Sequence, residues 1–241
     1  MIWTISDLHL STAKSKPMDI FGDRWKDHPA RIAAAWRAMV VPDDTVLVAG
    51  DISWAMKIGD AVADLQWIDA LPGRKILIRG NHDYWCPRSI GPIRKYLPPS
   101  ITMLGGDAVD IGDAVVCGTR AWLAPGTTGF SPKTDRTIYE RELRMLDRAL
   151  EQARSLAAST KPIIVMVHYP PFAERKPTEF AAQIGASGAA ACIYGHLHRP
   201  YDWGQATQGI VDGVFYQLTA CDYLGFRPVA VRGLDGPPIL S

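Results

Sequence analysis

No block of like charge, no apolar run of membrane length and no cysteine pair at zinc-ribbon spacing occurs anywhere in this chain. Each absence removes a class of function. Lys+Arg 26 against Asp+Glu 25 leaves a net charge of +1, and without a polybasic arm nucleic acid and anionic membranes are disfavoured as partners. The four cysteines (Cys86, Cys117, Cys192, Cys221) lie far apart, which excludes a CxxC metal or redox motif and points to free, buried thiols. Cys86 alone lies near enough to the motifs below to be exposed to oxidation. No basic segment leads into an apolar one at the start, so a cytoplasmic protein with no membrane association is expected. Without internal repeats, low-complexity stretches or linkers, residues 1–241 are expected to form one domain.

Short apolar segments separated by helical stretches are present instead. Candidate strands are Ile2–Ser6, Val46–Ala49, Lys75–Ile78, Ala114–Gly118, Ile163–Val167, Ala190–Tyr194, Val214–Thr219 and Val229–Val231. Several are continuously apolar rather than alternating, as strands covered on both faces of a layered α/β fold are. The spacing predicts a helix from Ile138 to Ala158, with Leu143, Leu146, Leu150, Ala153 and Ala157 on one face and a Thr137/Glu140 capping box at its start. Arg31–Val41 and Ala61–Leu71 are the other candidate helices. Three long irregular segments, 10–28, 84–99 and 119–135, have the length of lids or substrate walls.

Five of the six histidines fall in short segments at the ends of these strands, each with a carboxylate, an amide or a tight-turn glycine. Asp7-Leu8-His9 places a carboxylate and an imidazole two apart, on one side of an extended segment. Asp51 follows Gly50. Asn81 in Gly80-Asn81-His82-Asp83 offers a neutral oxygen ligand, beside an imidazole and a carboxylate able to tune it. His168 precedes Tyr169-Pro170, and Gly195-His196-Leu197-His198 again sets two imidazoles two apart. Hard oxygen donors and imidazoles gathered at one sheet edge are what a two-metal hydrolytic centre requires. His28 lies outside the pattern and is expected to be a loop or helix-cap residue.

In this order the five segments make the chain resemble the calcineurin-like metallophosphoesterase superfamily, in its small, bacterial-type branch without accessory domains. The resemblance covers Asp7 to His198. It implies a four-layer α/β/β/α sandwich, two mixed sheets face to face between helices. It implies that Asp7, His9 and His198 hold one metal ion and that Asn81, His168 and His196 hold a second. Asp51 would bridge the two. His82 would protonate the leaving-group oxygen as general acid, with Asp83 holding its other ring nitrogen. Two cations ~3.5–4 Å apart lower the pKa of a bridging water and clamp the phosphoryl oxygens for in-line attack. Imidazoles mixed with oxygen ligands favour Mn, Fe or Zn over Mg or Ca.

The chain departs from the protein Ser/Thr phosphatases of the superfamily after Asp51. It continues Ile52-Ser53-Trp54-Ala55-Met56, without the arginine expected there, which argues against a protein substrate. Arg79 matches an arginine of those phosphatases and is a candidate contact for substrate phosphate. Trp54, Trp85 and Trp122, with Tyr84, either wall a substrate pocket or belong to the core. Arg120 follows a candidate strand towards the same edge. The expected activity is hydrolysis of a phosphomonoester or phosphodiester in a small phosphorylated substrate, nucleotides among the candidates. A metal-dependent nuclease and a non-catalytic binding scaffold are the alternatives, the scaffold disfavoured because all seven ligands and His82 are kept.

Overall fold

The computed structural model describes residues 1–13 and 15–234, so residues 235–241 of the expected domain lie outside the description. The first sheet contains β1 (Ile2–Thr4), β2 (Thr45–Val48), β3 (Arg74–Ile78), β4 (Ile101–Leu104) and β13 (Val229–Ala230), in the order β13-β1-β2-β3-β4. β1 to β4 run parallel and β13 pairs antiparallel at the edge. The second sheet contains β5 (Asp107–Asp110), β6 (Val115–Thr119), β7 (Ile163–Val167), β10 (Ala191–Tyr194), β11 (Gly209–Val211) and β12 (Val214–Leu218), in the order β11-β12-β10-β7-β6-β5. Its four central strands are parallel and its two edge strands antiparallel. A two-residue-per-strand hairpin, β8 (Phe172–Ala173) with β9 (Lys176–Pro177), stands apart.

Alternation along the strands explains the layering. Val46 and Val48 pack with Ile32 and Trp36 of α1 (His28–Met39) and Leu65 and Ile68 of α2 (Ile58–Asp69). Leu47 and Ala49 face the other way, into a core shared with Ile164, Met166 and Ile193 of the second sheet. Val165 and Cys192 point outward again, against Leu146 and Leu150 of α3 (Arg136–Ala157) and Ile184 of α4 (Glu179–Ala186). Both faces of the central strands are therefore dry, and the four-layer sandwich expected from the sequence is present. Each fully buried Leu or Ile contributes roughly 1.5–3 kcal/mol.

The charged face of α3 is exposed, as its periodicity implies, but the Thr137/Glu140 capping box does not form. The helix starts at Arg136, and Asp135 before it spends its carboxylate on the Ser131 N–H and the Trp122 indole (2.7 and 3.1 Å). β4, β5, β11, the hairpin, α4 and α5 (Pro200–Gln205) were not among the predicted elements.

The seam between the sheets positions the site. The Ser6 N–H donates to the Thr219 carbonyl (2.7 Å), the Cys221 N–H to the Ser6 carbonyl (2.9 Å), and the two hydroxyls of Ser6 and Thr219 meet at 2.7 Å. The ends of β1 and β12 are thereby tied, and the loops after β1, β2, β3, β7 and β10 open at one edge. Crevices beyond the carboxyl ends of parallel strands are where ligands bind in such folds.

Candidate metal centre

Asp7, His9, Asp51 and His196 all adopt left-handed backbone, with φ of 59°, 45°, 51° and 74°. The extended geometry expected for Asp7-Leu8-His9 and Gly195-His196-Leu197-His198 is therefore not what aims these side chains. β1 stops at Thr4 and β10 at Tyr194, and tight turns beyond them direct the ligands inward. Asp tolerates this region better than most residues, and the cost of such strain is concentrated at functional sites. The neighbouring glycines follow from close approach. A Cβ on Gly80 would overlap the Asp51 carboxylate and backbone, and one on Gly195 would overlap the Asp7 carboxylate.

Two groups of donor atoms result. Asp7, His9, Asp51 and His198 each bring a ligand atom within 4.8 Å of all the others. Within this group Nε2 of His9 and Nε2 of His198 are 3.3 Å apart, and Oδ1 of Asp7 lies 3.5 Å from the latter. In the second group Oδ1 of Asn81 lies 2.7 Å from His168 Nε2 and 2.8 Å from His196 Nδ1, and those nitrogens are 3.3 Å apart. His168 Nδ1 donates to the Ala49 carbonyl at 2.9 Å, so its Nε2 turns a lone pair inward. Three acceptor atoms therefore converge with at most one proton among them. Oδ2 of Asp51 lies between the groups, 3.7 Å from His9 Nε2 and 3.5 Å from His168 Nε2.

Protonation matches this arrangement. Burial pushes His168 and His196 down to about 3, with nearby imidazoles adding to the shift. His9 is lowered well below its ordinary value by burial and then by His198, His82 and His168. Burial, with Asp7 and Asp83 behind it, raises Asp51 well above the carboxylate range. Neutral imidazoles and crowded, buried carboxylates fit divalent cations. His198 is the exception. Burial opposes its charge, but bonds to Asp222 and Asp7 outweigh burial and bring it up to about 10.

That exception exposes a residue the sequence did not reveal. Asp222 accepts from His198 Nδ1 at 3.0 Å and pairs with Arg24 at 3.0 Å, while Arg24 also donates to the His198 carbonyl. A carboxylate behind a ligating histidine fixes its tautomer and raises its basicity. Asp64 is a second residue that the sequence did not single out, receiving the Thr12 N–H (2.8 Å) and the Ser53 hydroxyl beneath the Asp51 turn.

His82 lies half-buried beside the first group, its ring centroid 5.7 Å from that of His9 and 4.4 Å from that of Trp54. Its N–H donates to Asp51 Oδ1 at 2.8 Å. Asp83 does not hold it, contrary to expectation. The Asp83 carboxylate turns into the protein and accepts from Gly80 (2.7 Å), Ile52 (2.9 Å), Ser53 (3.0 Å) and the Trp85 indole (3.0 Å). Four N–H donors outcompete one imidazole, so Asp83 is a positioning residue that ties the Asp51 turn to the Gly80 turn, and Nδ1 of His82 has no hydrogen-bond partner among the described residues.

His28 opens α1, buried, with its ring nitrogens facing the Leu8 carbonyl at 3.1 Å and the Trp25 carbonyl at 3.2 Å, beneath the Asp7–His9 turn. Trp54 stacks on His9 at 5.0 Å and walls the site, Trp85 is core, and Trp122 lines a cleft of about 840 Å³ that also reaches His196 and His198. Arg79 is half-buried and lines a separate cavity of about 330 Å³ together with Arg120 and Tyr84. All four cysteines are buried and unpaired, and burial pushes the Cys86 thiol up to about 12, which keeps it protonated and unreactive.

The family model of the calcineurin-like phosphoesterases matches residues 1–200. The chain belongs to that family. Gene 66 protein of Mycobacterium phage L5 is 43% identical over 81 residues, covering 34% of this chain and 39% of that protein. An uncharacterized metallophosphoesterase of Helicobacter pylori is 26% identical over 130 residues, 53% of this chain and 30% of that protein. The chain thus matches well under half the length of these relatives. The crystal structure of phosphopantetheinyl hydrolase (PptH) from Mycobacterium tuberculosis superposes with a TM-score of 0.52 at 16% identity, over 95% of both chains, a likeness of fold. Among the described residues no helix of this phosphoesterase is long and apolar enough to cross a membrane.

Proposed function

We propose that this calcineurin-like phosphoesterase is a dimetal phosphohydrolase that cleaves a phosphomonoester or phosphodiester of a small, nucleotide-sized molecule. The observation that carries the reading is Oδ2 of Asp51, 3.7 and 3.5 Å from the nearest imidazole nitrogen of each donor group. Asp7, His9, Asp51 and His198 would hold one ion, and Asp51, Asn81, His168 and His196 the other. Mn, Fe or Zn ions held there would supply positive charge for the phosphoryl oxygens and acidify water at neutral pH.

The chain's own residues do the rest. Ala49 and Asp222 orient His168 and His198 from behind, so that the inward nitrogen of each is fixed. Trp54 and Trp25 pack on His9 and keep bulk water from that side of the group. His82, held by its backbone bond to Asp51, gives a proton to the departing oxygen. The cleft of about 840 Å³, walled by Trp122, Tyr169 and Phe172, has the volume of a site for a nucleotide-sized group. That a hydrolase, PptH, shares this fold accords with the reading.

Metal analysis paired with a substrate panel tests it. Stoichiometric metal and turnover of at least one among monoesters, diesters, cyclic nucleotides and pyrophosphates are expected. Tightly bound metal without turnover of any of them would leave a binding scaffold.

A further inference from the structure

Beside the metal centre, on the side of His82, lies a cavity of about 330 Å³ whose lining includes four arginines, Arg79, Arg88, Arg120 and Arg141, and no carboxylate. A smaller one of about 60 Å³ shares the same four arginines and has Glu142 as the one acidic residue among its described lining residues. Glu142 is buried and already committed, 2.8 Å from Arg141 and 3.5 Å from Arg120, with the Thr119 hydroxyl donating to it as well. Arg79 and Arg88 have no ion-pair partner among the described residues, and Nε of Arg79 and of Arg120 are buried without a hydrogen bond. Among the lining residues of the two cavities four guanidinium groups face one carboxylate. Arg120 is buried, Arg79 and Arg141 are half-buried and Arg88 is exposed, so water meets this charge only in part and an anion is favoured among the four.

The cavity is preorganised. The Arg120 guanidinium lies 4.1 Å from the Trp122 ring centroid and is held by Glu142, and its carbonyl accepts from the N–H groups of His168 and Tyr169 (3.1 and 3.0 Å). Arg79 directly follows β3, one residue before the glycine that precedes Asn81. Tyr84 connects the two places, lining the cavity with its ring 6.1 Å from that of His82. A group bound among the arginines is therefore attached to the part of the substrate that leaves.

We propose that the four-arginine cavity is a subsite for a second, non-reacting phosphate carried by the leaving group. This rests on the phosphohydrolase reading above and narrows its substrate class to molecules with two phosphates, one cleaved at the metals and one held by Arg79, Arg88, Arg120 and Arg141. Guanidinium forks pair with carboxylate and phosphate alike, but a phosphate monoester offers three acceptor oxygens and up to two charges to several forks at once, where a carboxylate offers two oxygens and one charge.

The test compares substrates differing in one phosphate on the metal-loaded protein: AMP with adenosine 3′,5′-bisphosphate, and the dinucleoside phosphate ApA with its 3′-phosphorylated form. The doubly phosphorylated member is expected to show a kcat/KM roughly tenfold or more higher, and that ratio to collapse in Arg88→Gln/Arg141→Gln. A ratio near one in the unmodified protein, or one that survives the substitutions, overturns the subsite. Arg88→Gln alone changes an exposed side chain, so a partial loss of the ratio there separates binding from misfolding. Calorimetry with inorganic pyrophosphate on the metal-loaded protein and on the double variant decides the case in which no ester is turned over. Roughly tenfold weaker binding by the variant sustains the subsite while the hydrolase reading falls, and equal affinity removes the subsite itself.

Discussion

The two sheets contribute different chemistry to one site. The first supplies Asp7, His9, Asp51 and Asn81, three oxygen donors and one imidazole, from turns after β1, β2 and β3. The second supplies His168, His196 and His198, imidazoles only, from the ends of β7 and β10. Neither set is sufficient. The group around Asp7 takes His198 from the second sheet, and the group around His168 takes Asn81 and Asp51 from the first. The sheets also differ in how their ligands are held. Asp7 and Asp51 are anchored by N–H groups, of His196 (3.0 Å) and His82 (2.8 Å), whereas His168 and His198 are anchored through their far ring nitrogens. The site is thus a seam, and its integrity depends on the register between the sheets.

The largest effect should come from breaking that seam at its shared atom. Asp51→Asn is expected to lower the content of both metals and to reduce kcat/KM by about 10³-fold or more, read by elemental analysis and steady-state kinetics. Loss of one metal alone would show that Asp51 belongs to a single group. Next in size, His82→Ala should keep both metals and slow turnover by about 10²–10⁴-fold on poor leaving groups, with nitrophenyl esters hurt least. Full rate on an alkyl ester would remove His82 as the proton donor.

Asp222→Asn addresses the second sheet's way of holding a ligand. Affinity for the ion at Asp7, His9 and His198 should weaken about 10–100-fold, with the other ion little affected. The pH dependence sharpens this. His198 is brought up to about 10, so below that value a metal must displace its proton, and affinity should strengthen about tenfold per pH unit from pH 6 to 9, then level off above about 10. His168 and His196, at about 3, carry no proton to displace in that range. Calorimetric titration at several pH values reads the slope, and a flat profile would contradict the His198–Asp222 account.

The smallest effect on chemistry is expected from Asp83→Asn. An amide cannot accept all four N–H groups, so stability should fall by about 1–3 kcal/mol, measured by denaturant unfolding. The pH–rate profile of the surviving enzyme should keep its shape, because Asp83 does not touch His82. A shifted profile would restore the expected pairing.

Legibility followed sequence locality. Ile163–Val167 was readable because five consecutive apolar residues have no role other than a strand covered on both faces, and all five are buried. Asp107–Asp110 was not, because an edge strand with a carboxylate at each end looks like a loop until Val115–Asp110 pairing supplies its hydrogen bonds. α4 is eight residues with an internal glycine, too short to display a period. The donor residues were visible as a set because each sits directly after a strand. Asp222 and Asp64 were not, since nothing near them in sequence signals that they meet His198 and the Asp51 turn.

The sequence by itself determined an α/β class, because continuously apolar strands must be dry on both faces, and its five motifs, by their resemblance to a known family, carried the sandwich and the residue types at the edge. Only the tertiary structure decided which side chain holds which. Asp83 turns from His82 to four N–H groups, Asp222 arrives behind His198, and four arginines from the loops after β3 and β6 and from α3 converge on one cavity. The physical reason is common to all three. A hydrogen bond or ion pair is settled by distances of a few ångströms, and the register of two packed sheets sets those distances, not adjacency along the chain.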